Sequence, residues 1–172
     1  MQFRKGRALA VVFVWPDGMC RPELIEWLQY MGVYPAQRIY VCERDIIRAY
    51  NIGMHEALRR YKPEFHDQFI FADNDIVPSG GFKAWVECDA DVVGVKYPTN
   101  NEHAWGQPDV FHTGLYRIDV RALNDIAPPF FQFVYDGTGR RIEQCACLYF
   151  REKLLAAGRT IAVAGTADHR VK

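Results

Sequence analysis

Short apolar runs alternate with helical patterns along the chain, and this alternation restricts the fold more than any other feature. Apolar runs over residues 8–15 and 68–72 predict strands, and apolar residues spaced three and four apart over residues 22–31 and 46–61 predict helices. Such alternation is typical of helices covering both faces of a mostly parallel sheet. We therefore predict an α/β three-layer sandwich, with residues 1–172 forming a single domain.

The remaining elements follow from weaker signals. Asp45 is a favourable N-cap for the helix that follows it, and Gly158 is a favourable residue for ending the last helix. Further strands are predicted at residues 39–42, 91–97, 110–118 and 160–165, and further helices at residues 79–88, 119–126 and 142–157.

Charge and hydropathy exclude several classes of protein. Lys and Arg together number 21, as do Asp and Glu, so the chain lacks the positive field that holds nucleic acids. No apolar run approaches the roughly 18 residues that a transmembrane helix needs. The basic start of the chain leads into an apolar run that ends at Pro16-Asp17-Gly18, which does not resemble an export signal.

The five cysteines are an odd number and are scattered, which favours free thiols in a reducing cytoplasm over a disulfide framework. Cys145 and Cys147 are the only close pair. A structural zinc site usually needs a second pair of ligands at fixed spacing, and the sequence has none, so small residues on a helix are the favoured interpretation.

The string Asp73-Asn74-Asp75 directly follows a predicted buried strand and is the strongest chemical signal. Two carboxylates this close repel each other in a partly desolvated site, so a cation is needed to stabilise them. Mg²⁺ and Mn²⁺ prefer oxygen ligands and often complete their coordination with substrate phosphates. The string therefore predicts a divalent-metal site for a phosphate compound, with an ordinary solvated turn as the alternative.

Two other sites that use such a string fit less well. An EF-hand loop starting at Asp73 would need an oxygen ligand at Val77 and a glutamate at Ala84. The haloacid-dehalogenase phosphatases carry a similar string on their first strand, whereas two strands and two helices precede it here. Phosphatase and nucleotidyltransferase chemistry remain minor alternatives.

The order of several segments resembles that of the GT-A glycosyltransferases over nearly the whole chain. In that family an apolar strand ends in D-x-D followed by proline, as FIFADNDIVP does here. Tyr50 stands where the family's preceding helix often has an arginine. The other similar segments are DADVVGVKYP (89–98), FHTGLYRIDVRAL (111–123) and REKLLAAGRTIAVAGTADH near the end.

This resemblance implies a nucleotide-sugar donor and a Mn²⁺ or Mg²⁺ cofactor. It assigns the metal to Asp73, Asp75 and His169, with Asp75 as the more direct carboxylate ligand. The other donor-binding positions that it implies, besides Asp73, are Pro16, Asp17, Arg48, Asn51 and Gly114.

The resemblance also implies an acceptor, which could be a saccharide, a lipid or a protein, and it places acceptor contacts on Trp105 and His112. Inverting members of the family have a Glu-Asp pair at the start of the last helix, and these positions fall on Ala146 and Cys147 here. Glu143 is the nearest carboxylate and the candidate catalytic base. A retaining mechanism, or nucleotide-sugar binding without catalysis, are the alternatives.

Overall fold

A computed structural model describes residues 2–15, 18–97 and 111–169 of the chain. The strands in these ranges are β1 (Ala8–Phe13), β2 (Arg38–Val41), β3 (Gln68–Asp73), β4 (Ile76–Gly80), β5 (Val92–Lys96), β6 (Leu115–Asp119), β7 (Val134–Tyr135), β8 (Ile142–Gln144) and β9 (Ile161–His169). The α-helices are α1 (Pro22–Tyr30), α2 (Ile46–Arg60), α3 (Phe82–Glu87) and α4 (Ala146–Ala156), and short 3₁₀ turns cover Pro35–Gln37 and Val120–Leu123.

Seven of these strands form one sheet in the order β2-β1-β3-β6-β5-β9-β4. Strand β1 pairs in parallel with both β2 and β3, and β5 pairs in parallel with β9. Strand β6 is antiparallel to β3 and β5, and β4 is antiparallel to β9. Thus β1, β2, β3, β5 and β9 share one direction, which confirms the predicted mostly parallel α/β sheet.

The sheet has to curl, because β4 is its last strand but begins close to the end of β3. Four strand spacings separate β3 from β4 in the sheet order, which is about 19 Å in a flat sheet. The chain has only Asn74 and Asp75 between the two strands and can span at most about 11 Å from Asp73 to Ile76. The curl brings the far edge of the sheet to the acidic turn.

Helices cover both faces of the sheet and bury two separate apolar clusters. On one face α2 and α4 contribute Ala49, Tyr50, Met54, Ala57, Phe150 and Leu154. On the other face α1 and α3 contribute Leu24, Leu28 and Trp85. The predicted three layers are therefore present.

Helix α2 packs unusually close to β1 at Gly53. A Cβ atom at this position would lie 2.6 Å from Cε1 of Phe13 and 2.9 Å from Cγ1 of Val11. Only a residue without a side chain allows this approach, so the glycine fixes the separation of the helix from the strand.

The predicted helix signals at Asp45 and Gly158 are confirmed. The Asp45 carboxylate accepts a 3.0 Å hydrogen bond from the backbone N–H of Arg48 and so caps α2. Gly158 follows the end of α4 with φ +72°, the left-handed conformation that favours glycine there.

The predicted helix over residues 142–157 is wrong at its start. Asp136 accepts hydrogen bonds from the backbone N–H groups of Thr138 and Arg140, which closes a turn between β7 and β8. Ile142 then pairs with Tyr135 in an extended conformation, so the helix cannot begin before Ala146.

Three smaller differences concern strands and a turn. Strand β4 was not predicted, because Pro78 and Gly80 disfavour strands; an edge strand tolerates a proline, which lacks the N–H donor. The predicted strand over residues 110–118 begins only at Leu115. The predicted helix over residues 119–126 is the short turn Val120–Leu123, capped by the Asp119 carboxylate.

Among the helices that the structure describes, none combines the length and apolar character needed to cross a bilayer.

Candidate active site

The acidic turn lies where the carboxyl ends of β1 and β3 meet. Phe13 pairs with Asp73 at the last position of the two strands, and the backbone N–H of Asn74 donates to the Phe13 carbonyl at 2.9 Å. The backbone N–H of Asp73 donates to the Gly114 carbonyl at 2.8 Å. Ligand sites in open α/β sheets are commonly found at this edge.

Asp73 is buried, and its carboxylate is held by Tyr50 of α2. The Tyr50 hydroxyl lies 3.3 Å and 3.4 Å from the two carboxylate oxygens, and Asp73 is only 9% exposed. Burial and then the negative charge of Asp73 raise the pKa of Tyr50 well above its usual value. The phenol therefore stays protonated and donates to the carboxylate.

Asn74 ties the turn to the segment that follows β1. Its side-chain amide donates to the Met19 carbonyl at 3.3 Å, and its backbone carbonyl accepts from the Arg21 N–H at 3.0 Å. A Cβ atom at Gly18 would lie 2.4 Å from the Asn74 amide nitrogen, so the segment approaches closely because residue 18 is glycine. Both the side chain and the backbone of Asn74 therefore anchor the turn to the segment after β1.

Thr113 and Cys147 extend the polar cluster around Asp73. The Thr113 hydroxyl is 3.2 Å from the Cys147 sulfur, and its interaction with the Tyr50 hydroxyl lowers the pKa of Tyr50 against the larger effects of burial and of Asp73. Thr113 is 2% exposed. We refer to Tyr50, Asp73, Thr113 and Cys147 as the Asp73 cluster.

Asp75 and His169 come from neighbouring strands of the curled sheet. Asp75 is half-buried, and Ile76, the next residue, pairs with His169 at the end of β9. The structure thus brings the backbone of His169 beside the acidic turn, and its role as a metal ligand stays a prediction. No group of three or more potential ligands is assembled within the described residues. The oxygen donors of Asp73 and Asp75 nevertheless suit a hard cation such as Mn²⁺ or Mg²⁺.

The donor-binding role of Asn51 stays a prediction, and in this structure both ends of its amide make hydrogen bonds within the protein. The Asn51 nitrogen donates to the Ile47 and Phe131 carbonyls at 2.9 Å and 2.8 Å. Its oxygen accepts from the backbone N–H groups of Phe130 and Phe131 at 2.9 Å and 3.2 Å. Asn51 therefore anchors the segment at residues 130–131 to α2.

Arg48 and Gly114 also make contacts that the sequence did not indicate. The Arg48 side chain is 71% exposed and forms a 3.2 Å ion pair with Glu43. The space that a Cβ atom at Gly114 would fill is occupied by the Tyr97 hydroxyl, 2.6 Å away. Their roles in binding a donor stay predictions.

Glu143 and His112 are the remaining predicted residues that the structure describes. Glu143 is exposed and lies on β8 rather than in the first turn of a helix. His112 is half-buried, with its ring 6.2 Å from that of Tyr97 between ring centroids. The predictions for Pro16, Asp17 and Trp105 lie outside the described residues.

Sequence reasoning did not assign site roles to Tyr50 and Thr113. A signal for Tyr50 was present, because it stands where the resemblance expects an arginine on the helix before the acidic turn. Thr113 directly precedes Gly114, but nothing in its local sequence indicates that it contacts Tyr50 and Cys147.

Comparison with known proteins shows a shared fold. No protein-family model matches the chain, and no curated protein matches it. The structure of protein A197 from STIV matches with a TM-score of 0.59 and 17% identity, over 95% of this chain and 86% of that one. The T. maritima inositol-1-phosphate CTP transferase matches with a TM-score of 0.56 and 13% identity, over 97% of this chain and 89% of that one.

Drosophila beta1,4galactosyltransferase 7 is similar in two structures. Its catalytic domain in complex with xylobiose gives a TM-score of 0.59 at 12% identity, and a mutant in complex with manganese, UDP-Gal and xylobiose gives 0.57 at 13%. Each match covers 96% of this chain and 71% of that one. Identities this low establish the fold alone. The chain has a GT-A-type fold, as the resemblance implied.

The hydrogen bonds of Asn51 lead to a stability prediction. Asn51→Ala leaves two backbone N–H groups and two carbonyls without their partner, so we expect a loss of about 2–3 kcal/mol in the free energy of unfolding, measured by urea denaturation. Asn124→Ala, at an exposed position, is the control and should change it by less than about 0.5 kcal/mol. An unchanged urea midpoint for Asn51→Ala would contradict the anchoring role.

Proposed function

We propose that this protein is a metal-dependent glycosyltransferase that binds a nucleotide-sugar donor at the acidic turn. The observation that carries the proposal is the position of Asp73 and Asp75 at the carboxyl edge of a GT-A-type sheet, with the Asp73 carboxylate held by Tyr50. Orienting a buried carboxylate in this way has a cost in desolvation that a purely structural turn does not need.

The proposed cofactor is Mn²⁺ or Mg²⁺, held by Asp73, Asp75 and His169. When bound, the ion supplies positive charge that stabilises a diphosphate leaving group. Asp73 is kept in place by Tyr50, and Asn74 keeps the turn against the segment after β1. The manganese and UDP-Gal in the structure of the Drosophila enzyme support this class of donor and cofactor for the same fold.

The donor is proposed to lie between the end of β1 and Gly114, with Pro16, Asp17 and Arg48 as further contacts. Tyr97 fills the space beside Gly114, so a sugar that approaches this glycine displaces the Tyr97 hydroxyl. His112, whose ring neighbours Tyr97, is proposed to contact the acceptor together with Trp105. The acceptor class remains a saccharide, a lipid or a protein.

The proposed compartment is the cytoplasm. All five cysteines are free thiols, as expected in a reducing environment.

A second function is favoured by one observation at the start of α4. Cys147 occupies the position where the resemblance expects the catalytic aspartate. Its thiol forms a hydrogen bond with the Thr113 hydroxyl. A thiol in this environment is a poor general base for a sugar hydroxyl. A nucleotide-sugar-binding protein without catalysis is therefore the alternative to the enzyme.

A donor panel separates these two functions. The protein with Mn²⁺ is incubated with uridine, guanosine, cytidine and thymidine diphosphate sugars, and release of the nucleoside diphosphate is measured alongside calorimetric binding. We expect release above the protein-free rate for one of these donors. Binding without release supports the binding protein, and the absence of both rejects donor recognition. Turnover of CTP with a sugar phosphate would instead identify a nucleotidyltransferase.

Asp75→Ala tests the metal site directly. Loss of outer-shell partners alone costs metal sites about 10- to 100-fold in affinity, so removing a direct ligand should weaken Mn²⁺-dependent binding of uridine diphosphate at least about tenfold. Glu87→Ala, which removes an exposed carboxylate on α3, is the control and should bind as the wild type does. Equal affinities for wild type and Asp75→Ala would exclude the turn from donor binding.

Glu143→Gln tests the proposed catalytic base. Because a general base contributes about 10²–10⁴-fold to rate, this variant should transfer sugar slower by about that factor while its donor affinity stays unchanged. Glu152→Gln, at an exposed position on α4, is the matched control. Transfer within about threefold of wild type would leave Glu143 without a catalytic role and favour a retaining mechanism.

A further inference from the structure

The tip of the Tyr97 side chain fills a small space at the carboxyl edge of the sheet. Tyr97 directly follows β5, and Gly114 directly precedes β6. The Gly114 carbonyl accepts the backbone N–H of Asp73 at 2.8 Å, so the space beside this glycine adjoins the acidic turn. The Tyr97 hydroxyl therefore lies at the boundary of the proposed donor site, although Tyr97 is not one of the proposed metal ligands.

Glycine at residue 114 serves this close contact rather than the backbone. The φ of Gly114 lies outside the left-handed region that favours glycine. A Cβ atom there would lie 2.6 Å from the Tyr97 hydroxyl oxygen and 3.3 Å from Cζ of the ring. Cδ1 of Ile76, at 3.4 Å, is at an ordinary contact distance. The chain thus keeps a space beside residue 114, and a side-chain tip, which can rotate away, fills it.

The Tyr97 hydroxyl gains little in this position. Its oxygen is buried and makes no hydrogen bond within the part of the chain that the structure describes. Burial and then the charge of Asp73 raise the pKa of Tyr97 well above its usual value, against an opposing effect of the Leu115 N–H, so the phenol keeps its proton. A buried hydroxyl without an acceptor is costly, which lowers the free energy needed to turn the ring away.

We propose that Tyr97 determines how the site discriminates between a nucleotide sugar and the free nucleoside diphosphate. This inference rests on the proposed function, which puts the donor sugar beside Gly114. A nucleoside diphosphate reaches the acidic turn with the Tyr97 ring in place, whereas the sugar needs the space that the hydroxyl fills. Donor binding therefore includes the cost of displacing Tyr97, and binding of the diphosphate does not.

Tyr97→Leu tests this selectivity, because leucine keeps apolar packing but is too short to reach Gly114. With the space open in every molecule, affinity for the donor should rise about tenfold, and affinity for the nucleoside diphosphate should stay within about twofold of wild type. Calorimetry with Mn²⁺ measures both, using the uridine, guanosine, cytidine and thymidine diphosphate sugars and their free nucleoside diphosphates. Tyr97→Ala should act in the same direction.

The sign of this change separates an obstruction from a ligand contact. If the Tyr97 hydroxyl instead donated to the sugar, its removal would weaken donor binding. Unchanged or weaker donor binding by Tyr97→Leu would therefore overturn the proposal. Tyr40→Leu, at an exposed tyrosine on β2, is the matched control and should bind both ligands as the wild type does.

Tyr97→Phe tests the state of the hydroxyl without any ligand. Phenylalanine keeps the ring and removes a buried hydroxyl that has no acceptor, so the urea midpoint should rise by about 0.3–1 M. Tyr40→Phe should change the midpoint by less than about 0.2 M. A lower midpoint for Tyr97→Phe would show that the hydroxyl is satisfied beside Gly114, which contradicts the proposal.

Gly114→Ala tests the contact between the two residues. The added Cβ atom meets the Tyr97 hydroxyl in the wild-type background but not in Tyr97→Leu. It should therefore lower the urea midpoint more in the wild type than in Tyr97→Leu. Equal losses in the two backgrounds would show that Tyr97 does not fill this space and would overturn the obstruction.

The ligand-free and ligand-binding measurements distinguish two kinds of failure. If the midpoints change as expected and no nucleotide binds, the proposed function is rejected together with the selectivity, and the contact between Tyr97 and Gly114 stands. If nucleotides bind and Tyr97→Leu leaves the ratio of donor to diphosphate affinity unchanged, the proposed function stands and the role of Tyr97 is rejected.

Discussion

The parallel pairing of β1 with β3 is the constraint on which the rest of the structure depends. The two strands match residue for residue from Ala8 and Gln68 to Phe13 and Asp73. Because a shift by one residue would turn every side chain to the opposite face, the two apolar clusters permit only this register. This register places Asp73 opposite Phe13, at the carboxyl ends of both strands. Tyr50, Phe13 and Gly114 all hydrogen-bond the turn at this end of the strands.

The fold could be predicted from sequence because its strongest signals are local. Apolar strands, the cap at Asp45 and the glycine at 158 act over a few residues, and the structure follows them. The errors occur where a distant partner decides. Strand β4 exists because β9 pairs with it, and Ile142 is extended because Tyr135 lies opposite. A helical or turn-like local pattern cannot report such partners.

In the candidate site, too, local signals could be predicted from the sequence and contacts with distant residues could not. The acidic turn stands out in the sequence, because two carboxylates after an apolar strand are costly without a ligand. The interactions around it come from α2, from residue 113 and from the start of α4, which are far apart along the chain. The hydrogen bonds of Asn51 could not be predicted for this reason. An exposed amide on a helix and an amide that fastens a distant segment have the same local sequence, and only the hydrogen bonds to Phe130 and Phe131 distinguish them.

The close approach of α2 to β1 at Gly53 has a consequence for ligand selectivity. Tyr50 lies one turn before Gly53 on a helix that cannot slide over Phe13 and Val11 without a clash. The position of the Tyr50 phenol is therefore fixed. The Asp73 carboxylate that it holds already has little orientational freedom, so little is lost when a ligand binds. A rigid oxygen pair discriminates between cations by their radius, because it cannot expand to follow a larger ion. For the proposed metal site this rigidity predicts a preference for the smaller divalent ions over Ca²⁺, set by a residue that has no side chain.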